Sequence, residues 1–118
     1  FNSVFIESKK FKEIIKKFSL ISDSITFNLK DNQFFIKASG LNSAELVLNS
    51  DDVLIKMDDY KTEITSKYSL EYLNKFIKVL FADNLTLKFN DTYPLLIEQK
   101  TDLININYLL APRIEGGD

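Results

Sequence analysis

Five lysines crowd the eleven residues Ser8–Phe18, S-K-K-F-K-E-I-I-K-K-F. Wound as a helix, Phe11, Ile14, Ile15 and Phe18 fall at i, i+3, i+4 and i+7 and form one apolar stripe. Lys9, Lys12 and Lys16 lie opposite that stripe, Lys10 and Lys17 flank it, and Glu13 is the one acid among them. Such a face has one chemistry to offer, the neutralisation of negative charge without covalent work. It suits either a solvated surface helix or a face that meets a polyanion.

Other chemistries lack their parts. The chain holds no histidine and no cysteine, so Ser-His and Cys-His nucleophile systems, ordinary zinc sites, thiol chemistry and disulfides are excluded. Only the acidic pairs Asp51-Asp52 and Asp58-Asp59 suggest metal-assisted catalysis. Adjacent strand residues point to opposite faces, and both pairs fall at expected turns, where Asp is common anyway. The reading is therefore no enzyme, no metal site and no cofactor.

The 118 residues suit a single domain, 1–118, and 45% hydrophobic with 27% charged residues describes a globular chain. No apolar run approaches the roughly 18 residues of a membrane span, and no signal-peptide pattern is present. The first residue is Phe1, so the expectation is a piece of something longer.

Net charge is −2, but it is unevenly placed. A second helical stretch, 69–80, begins at Ser69 and lines Leu70, Leu73, Ile77 and Leu80 along one side, with Lys75 and Lys78 against Glu71 on the other. The two helices hold seven lysines and two glutamates, leaving eight basic and fifteen acidic residues elsewhere. An acidic body with its positive charge gathered on helices presents opposite signs on two faces.

The remaining segments read as strands. Ser3–Glu7 leads into the lysine helix, and Ser8 is placed to cap it. Ser24–Leu29 alternates through Ile25, Phe27 and Leu29, and after the turn Asp31-Asn32 the arm Gln33–Ala38 makes a hairpin. Ser43–Asn49, Val53–Met57 and, weakly, Lys61–Lys67 follow. Beyond the second helix come Asn84–Phe89, Pro94–Gln99 and Leu103–Tyr108, then an extended tail over 109–118 containing Pro112 and two glycines. An offset of about 60 residues lays Ser8 near Ser69, Ile25-Thr26-Phe27 on Leu85-Thr86-Leu87, and Asp31 on Asp91. The fold class is α+β: two β-α-β-β-β repeats, antiparallel sheets, and two helices packed on one face with their polar sides together.

With these elements in place, the chain resembles the DNA sliding clamps of the PCNA family, specifically the C-terminal domain of a clamp protomer. The ending Tyr108-Leu109-Leu110-Ala111-Pro112-Arg113-Ile114-Glu115 is similar to the family's Tyr/Leu-Leu-Ala-Pro-Lys/Arg-Ile/Val-Glu. Ser69-Leu70-Glu71-Tyr72-Leu73 resembles the start of its second helix. Thr92-Tyr93-Pro94-Leu95, the Phe11-x-x-Ile14 helix and Ala38-Ser39-Gly40 fit as well. The junction Thr65-Ser66-Lys67-Tyr68-Ser69 looks more archaeal than eukaryotic. The resemblance covers essentially the whole chain.

The resemblance implies a ring of six such domains, two per protomer in three protomers, with helices lining a hole that duplex DNA threads. Lys9, Lys12, Lys16 and Lys78 are then the first DNA-facing residues, with Lys10, Lys17 and Lys75 at the rim and Asn74 as a neutral lining residue. Glu13 and Glu71 depart from an all-basic lining. Contacts with phosphate rather than bases make binding sequence-independent. It further implies that DNA polymerase, flap nuclease, ligase and clamp loader dock short peptide motifs around Pro94 and Leu109, Leu110, Ala111, Pro112, Arg113 and Ile114. The strand carrying Ala44, Glu45, Leu46, Val47 and Leu48 would lie at a sheet edge and pair with a neighbour's first domain, leaving the isolated chain prone to self-association. The implied location is intracellular, cytoplasm or nucleoid if archaeal and nucleus if eukaryotic, with no membrane partner. The competing reading is a clamp-like protein-binding module without a DNA role.

Overall fold

A computed structural model describes residues 2–57 and 63–114. Eleven elements follow in order: β1 (Asn2–Glu7), α1 (Ser8–Phe18), β2 (Ser24–Lys30), β3 (Gln33–Ser39), β4 (Ser43–Leu48), β5 (Leu54–Lys56), β6 (Glu63–Ser69), α2 (Leu70–Ile77), β7 (Asn84–Phe89), β8 (Leu95–Lys100) and β9 (Asn105–Leu110). Asp58, Asp59, the start of the strand expected at Lys61 and the last four residues of the tail lie outside the described residues.

The strands form two antiparallel sheets, β5-β1-β7-β8-β9 and β4-β3-β2-β6. The two repeats are visible, but each lends its first strand to the other's sheet. β1 pairs along its full length with β7, Val4 opposite Leu87, while β6 pairs with β2, Phe27 opposite Ser66. The hairpin turns also correspond. Asp31 and Asn32 adopt φ of 53° and 58°, and Thr92 adopts 44°, left-handed values that Asn and Asp tolerate better than most residues.

Alternating positions of the strands point inward and meet the apolar stripes of the helices. Phe27 on one sheet lies 5.7 Å from Phe89 on the other, ring centroid to centroid, and 5.2 Å from Phe34. Phe76 of α2 lies 6.5 Å from Phe11 of α1 and 4.9 Å from Tyr108 of β9. The core is thus continuous from helix to helix to sheet. Truncating any one of the buried phenylalanines among them to alanine costs about 3–5 kcal/mol.

Several boundaries differ from the sequence expectation, each for a local reason. Ser8 does not cap α1: Glu7 occupies the cap position in extended conformation and gives no side-chain hydrogen bond. The Ser8 hydroxyl instead donates to the carbonyl of Ala82, and its N–H donates to Asp83 O at 2.9 Å. Ser69 does cap α2, accepting from Tyr72 N. That helix ends at Ile77 rather than at residue 80. The strand expected from Leu103 begins at Asn105, because the Thr101 hydroxyl accepts from the N–H groups of Leu103 and Ile104 and closes a turn. At the far end β9 continues through Leu109 and Leu110, so the extended tail starts at Ala111, just before the proline that ends strand pairing. Among the described residues no helix is long and apolar enough to cross a membrane.

Candidate nucleic-acid interface

The helices run antiparallel and are tied at both ends. Past the end of α1, Asp23 O accepts from Leu70 N at the start of α2, and at the opposite end Ser8 holds the loop that follows α2. At the first of these ends, one turn into α2, Asn74 donates to Ser19 Oγ at the end of α1 and to Leu70 O. Asn74, expected as a neutral lining residue, thus uses its amide both to join α2 to the end of α1 and to bond within α2.

Buried Phe11, Ile14, Ile15 and Phe18 fix the roll of α1, and Leu70, Leu73, Phe76 and Ile77 fix that of α2. The charged residues are therefore forced outward. Lys9, Lys10, Lys12, Lys16 and Lys17 share one shallow surface with Glu7 and Glu13. Lys16 and Lys17 occupy the last turn of α1, where the helix dipole favours cations.

The seven lysines fall into two sets. Lys10 reaches Asp52 at 4.0 Å, Lys17 reaches Glu13 at 3.7 Å, and Lys75 reaches Glu71 at 3.9 Å while lying 5.3 Å over the Tyr72 ring. Lys9, Lys12, Lys16 and Lys78 make no ion pair among the described residues and are exposed. The four without a carboxylate are the four that the sequence reading put first. Asp52 also accepts from Asn49 N at 3.1 Å, so its side chain holds the turn before β5. Asp51 stands beside it with its N–H on Asn49 Oδ1.

The expected partner residues converge in part. Leu95 pairs with Leu110, which brings Pro94 beside Ala111. The chain on both sides then runs along β6: Tyr93 O accepts from Tyr68 OH at 2.6 Å, and Arg113 N donates to Lys67 O at 2.8 Å. Leu109 is 68% exposed and Ile114 70%, whereas Leu110 is buried and belongs to the core.

β4 is an edge strand, paired with β3 alone. Glu45 and Val47 face outward, with Glu45 3.6 Å from Lys37; Leu48 is buried, and Ala44 and Leu46 are only half-buried beneath it. The opposite edge of this sheet, β6, is sealed. Thr65 N donates to Asp91 Oδ1, Thr65 O accepts from Thr92 N, and Lys67 O accepts from Arg113 N.

Sequence reasoning missed a second open edge, β9, which pairs with β8 alone. Next to it Ile106, Val79 and Phe81 are exposed, and Gln99, opposite Ile106, ties the segment after α2 to the sheet through Phe81 N, Ala82 N and Val79 O. The available signal was a strand with apolar residues at both alternating sets of positions, Ile106 on one and Leu109 on the other.

Comparison with known proteins gives a consistent answer. A family model described as "Proliferating cell nuclear antigen, C-terminal domain" matches residues 2–113. A DNA polymerase sliding clamp of Pyrococcus furiosus is 36% identical over 107 residues, 88% of this chain and 43% of that protein. DNA polymerase sliding clamp 1 of Thermococcus kodakarensis is 37% identical over the same shares. The chain thus spans less than half the length of these relatives. Among solved structures, the proliferating cellular nuclear antigen of Entamoeba histolytica superposes with a TM-score of 0.85 at 25% identity, covering 96% of this chain and 46% of that one. PCNA of Thermococcus kodakaraensis superposes at 0.82 and 26% identity, covering 95% and 47%.

Proposed function

This chain belongs to the proliferating cell nuclear antigen family as a C-terminal domain, and on that premise we propose that it is one domain of a DNA sliding clamp, a non-catalytic ring subunit that encircles duplex DNA and tethers polymerase. The observation that carries the reading is the set of four lysines without carboxylate partners, Lys9, Lys12 and Lys16 on α1 and Lys78 at the C-terminal cap of α2, on two antiparallel helices whose apolar sides are locked into one core. Point charges on flexible stems grip phosphates without reading bases. A surface of that kind holds a duplex in any register along its length, as a sliding contact requires.

The ring is supported by the open edges β4 and β9, through which neighbouring domains continue the sheets. Ala44, Leu46 and Leu48 would pack beneath the junction at one edge, and Ile106, Val79 and Phe81 at the other. The surface around Pro94, Leu109 and Ala111–Ile114 is the docking place for short apolar-aromatic peptides, those of a flap nuclease, a ligase and a clamp loader included.

The test is duplex binding by fluorescence anisotropy across a salt series. Each lysine withdrawn from phosphate removes about 0.9 from the slope of log affinity against log salt, so Lys12→Gln/Lys16→Gln flattens it by about 1.8. Two unrelated duplex sequences should give the same curve. An unchanged slope refutes DNA contact through this face and favours a clamp-like protein-binding module, the reading that the acidic remainder of the chain suits. Light scattering of the chain mixed with a clamp N-terminal domain tests the edges: a mixed complex is expected, and separate monomers would refute the pairing.

A further inference from the structure

Each of the two helices carries one exposed acid, Glu13 on α1 and Glu71 on α2, and both acids are used in the same way. Glu13 stands one turn before Lys17 and Glu71 one turn before Lys75, at 3.7 and 3.9 Å. Glutamate four residues ahead of lysine is the favourable order for such a pair. Glu13 lies within the lysine surface rather than at its border, since Lys9 and Lys10 precede it and Lys16 and Lys17 follow it by one helical turn. A face selected for grip alone would carry no acid at this position.

We propose that Glu13 and Glu71 compete with the duplex phosphates for Lys17 and Lys75, which makes these two lysines conditional contacts. The inference rests on the DNA reading of this face. Exposed pairs of this kind are weak, so the carboxylate does not hold its lysine out of reach. It offers the lysine an alternative partner. When Lys17 moves to a phosphate it gives up Glu13, and the net gain is small. When the duplex advances, the carboxylate takes the lysine back without a stage in which the ammonium has only water. Four lysines then supply steady attraction while two exchange, and residence at any one register stays short. Lys10 differs, because its partner Asp52 belongs to the turn after β4 rather than to the helix face.

The test uses this chain and a fluorescein-labelled mixed-sequence duplex of about 20 base pairs, titrated from about 20 to 200 mM salt. Glu13→Gln/Glu71→Gln should steepen the slope of log affinity against log salt by up to about 1.8, two released lysines at about 0.9 each. Each released lysine thus adds up to about eightfold for every tenfold drop in salt. Lys17→Gln should cost little beside Glu13 and several-fold in the Glu13→Gln background. Glu98→Gln, which removes the same charge from the Lys88–Glu98 pair on the far side of the five-stranded sheet, is the control and should leave binding unchanged. An equal gain from Glu98→Gln, or an equal cost of Lys17→Gln in both backgrounds, overturns the proposal. If Lys12→Gln/Lys16→Gln weakens binding while Glu13→Gln/Glu71→Gln does not strengthen it, the DNA reading stands and this inference falls. If the lysine variant has no effect, both fall.

Discussion

Replacing Gln99 with leucine should cost about 1–3 kcal/mol although the two side chains are nearly equal in size. Gln99 is 1% exposed, on the inner face of β8. Its Oε1 accepts from Phe81 N at 2.8 Å and Ala82 N at 3.3 Å, and its Nε2 donates to Val79 O at 3.3 Å. Ala82 is buried, so its N–H finds no water when the acceptor goes, and an unsatisfied buried donor costs about 1–3 kcal/mol. Phe81 and Val79 are exposed and regain water, so their lost bonds cost less, together about 1 kcal/mol. The added apolar burial of leucine returns roughly 1 kcal/mol. For a chain of this length the net loss lowers Tm by about 4–12 °C. Urea unfolding should show a lower midpoint at unchanged m-value, and amide exchange at Phe81 and Ala82 should accelerate before that of the strands. A loss below about 0.5 kcal/mol with unchanged exchange at Ala82 would refute the assignment of this side chain as the anchor of the 78–83 segment.

Burial pushes the Tyr68 phenol up from 10.0 to about 12, against a smaller opposing effect of the Ser66 hydrogen bond. The folded protein keeps a proton that the unfolded chain releases above pH 10, so the contribution of Tyr68 is intact below pH 10. It declines as pH rises toward 12, by up to about 3 kcal/mol. Urea melts of wild type and Tyr68→Phe between pH 9 and 11.5 should converge and then cross in favour of the variant; parallel curves would refute it. Asn74→Ala removes the amide bonds to Ser19 and Leu70 and should cost about 1 kcal/mol in the same assay with helix content retained, while an unperturbed midpoint would show that the helices need no such tie.

Periodic features were legible in the sequence. The i, i+3, i+4, i+7 stripe of α1 and the alternation of β2 and β7 follow from one buried face, and that requirement leaves its mark on residue types directly. The outward set of lysines followed from the same stripe. The exchange of first strands between repeats left no such mark, because Val4 and Ile6 present the same alternation whichever sheet receives them. Side chains that bond across the fold were equally hidden. Asn28 looks like an outward polar position of β2, yet it is buried, donating to Glu63, Ile64 O and Thr65. Gln99 looks polar and is core. Ser8 looks like a cap and is a tether, because its partner Ala82 lies 74 residues away. The division of the lysines into paired and unpaired was half visible: the Glu–Lys spacing within each helix can be counted along the chain, but Asp52 reaches Lys10 only through the fold.

The seal over β6 has a consequence for counting. With that edge closed by Asp91, Thr92 and Arg113, and β5 reduced to three residues, the described domain retains two long edges able to accept another strand, β4 and β9, and they are unlike. In the language of polymer chemistry it is a monomer of functionality two with distinct ends. Such a unit cannot branch, and joining one kind of end to the other gives a product of a single polarity. Whether the product is a cycle or an open strand, and how many units a cycle contains, is decided by the angle between the two ends and not by the strength of either bond.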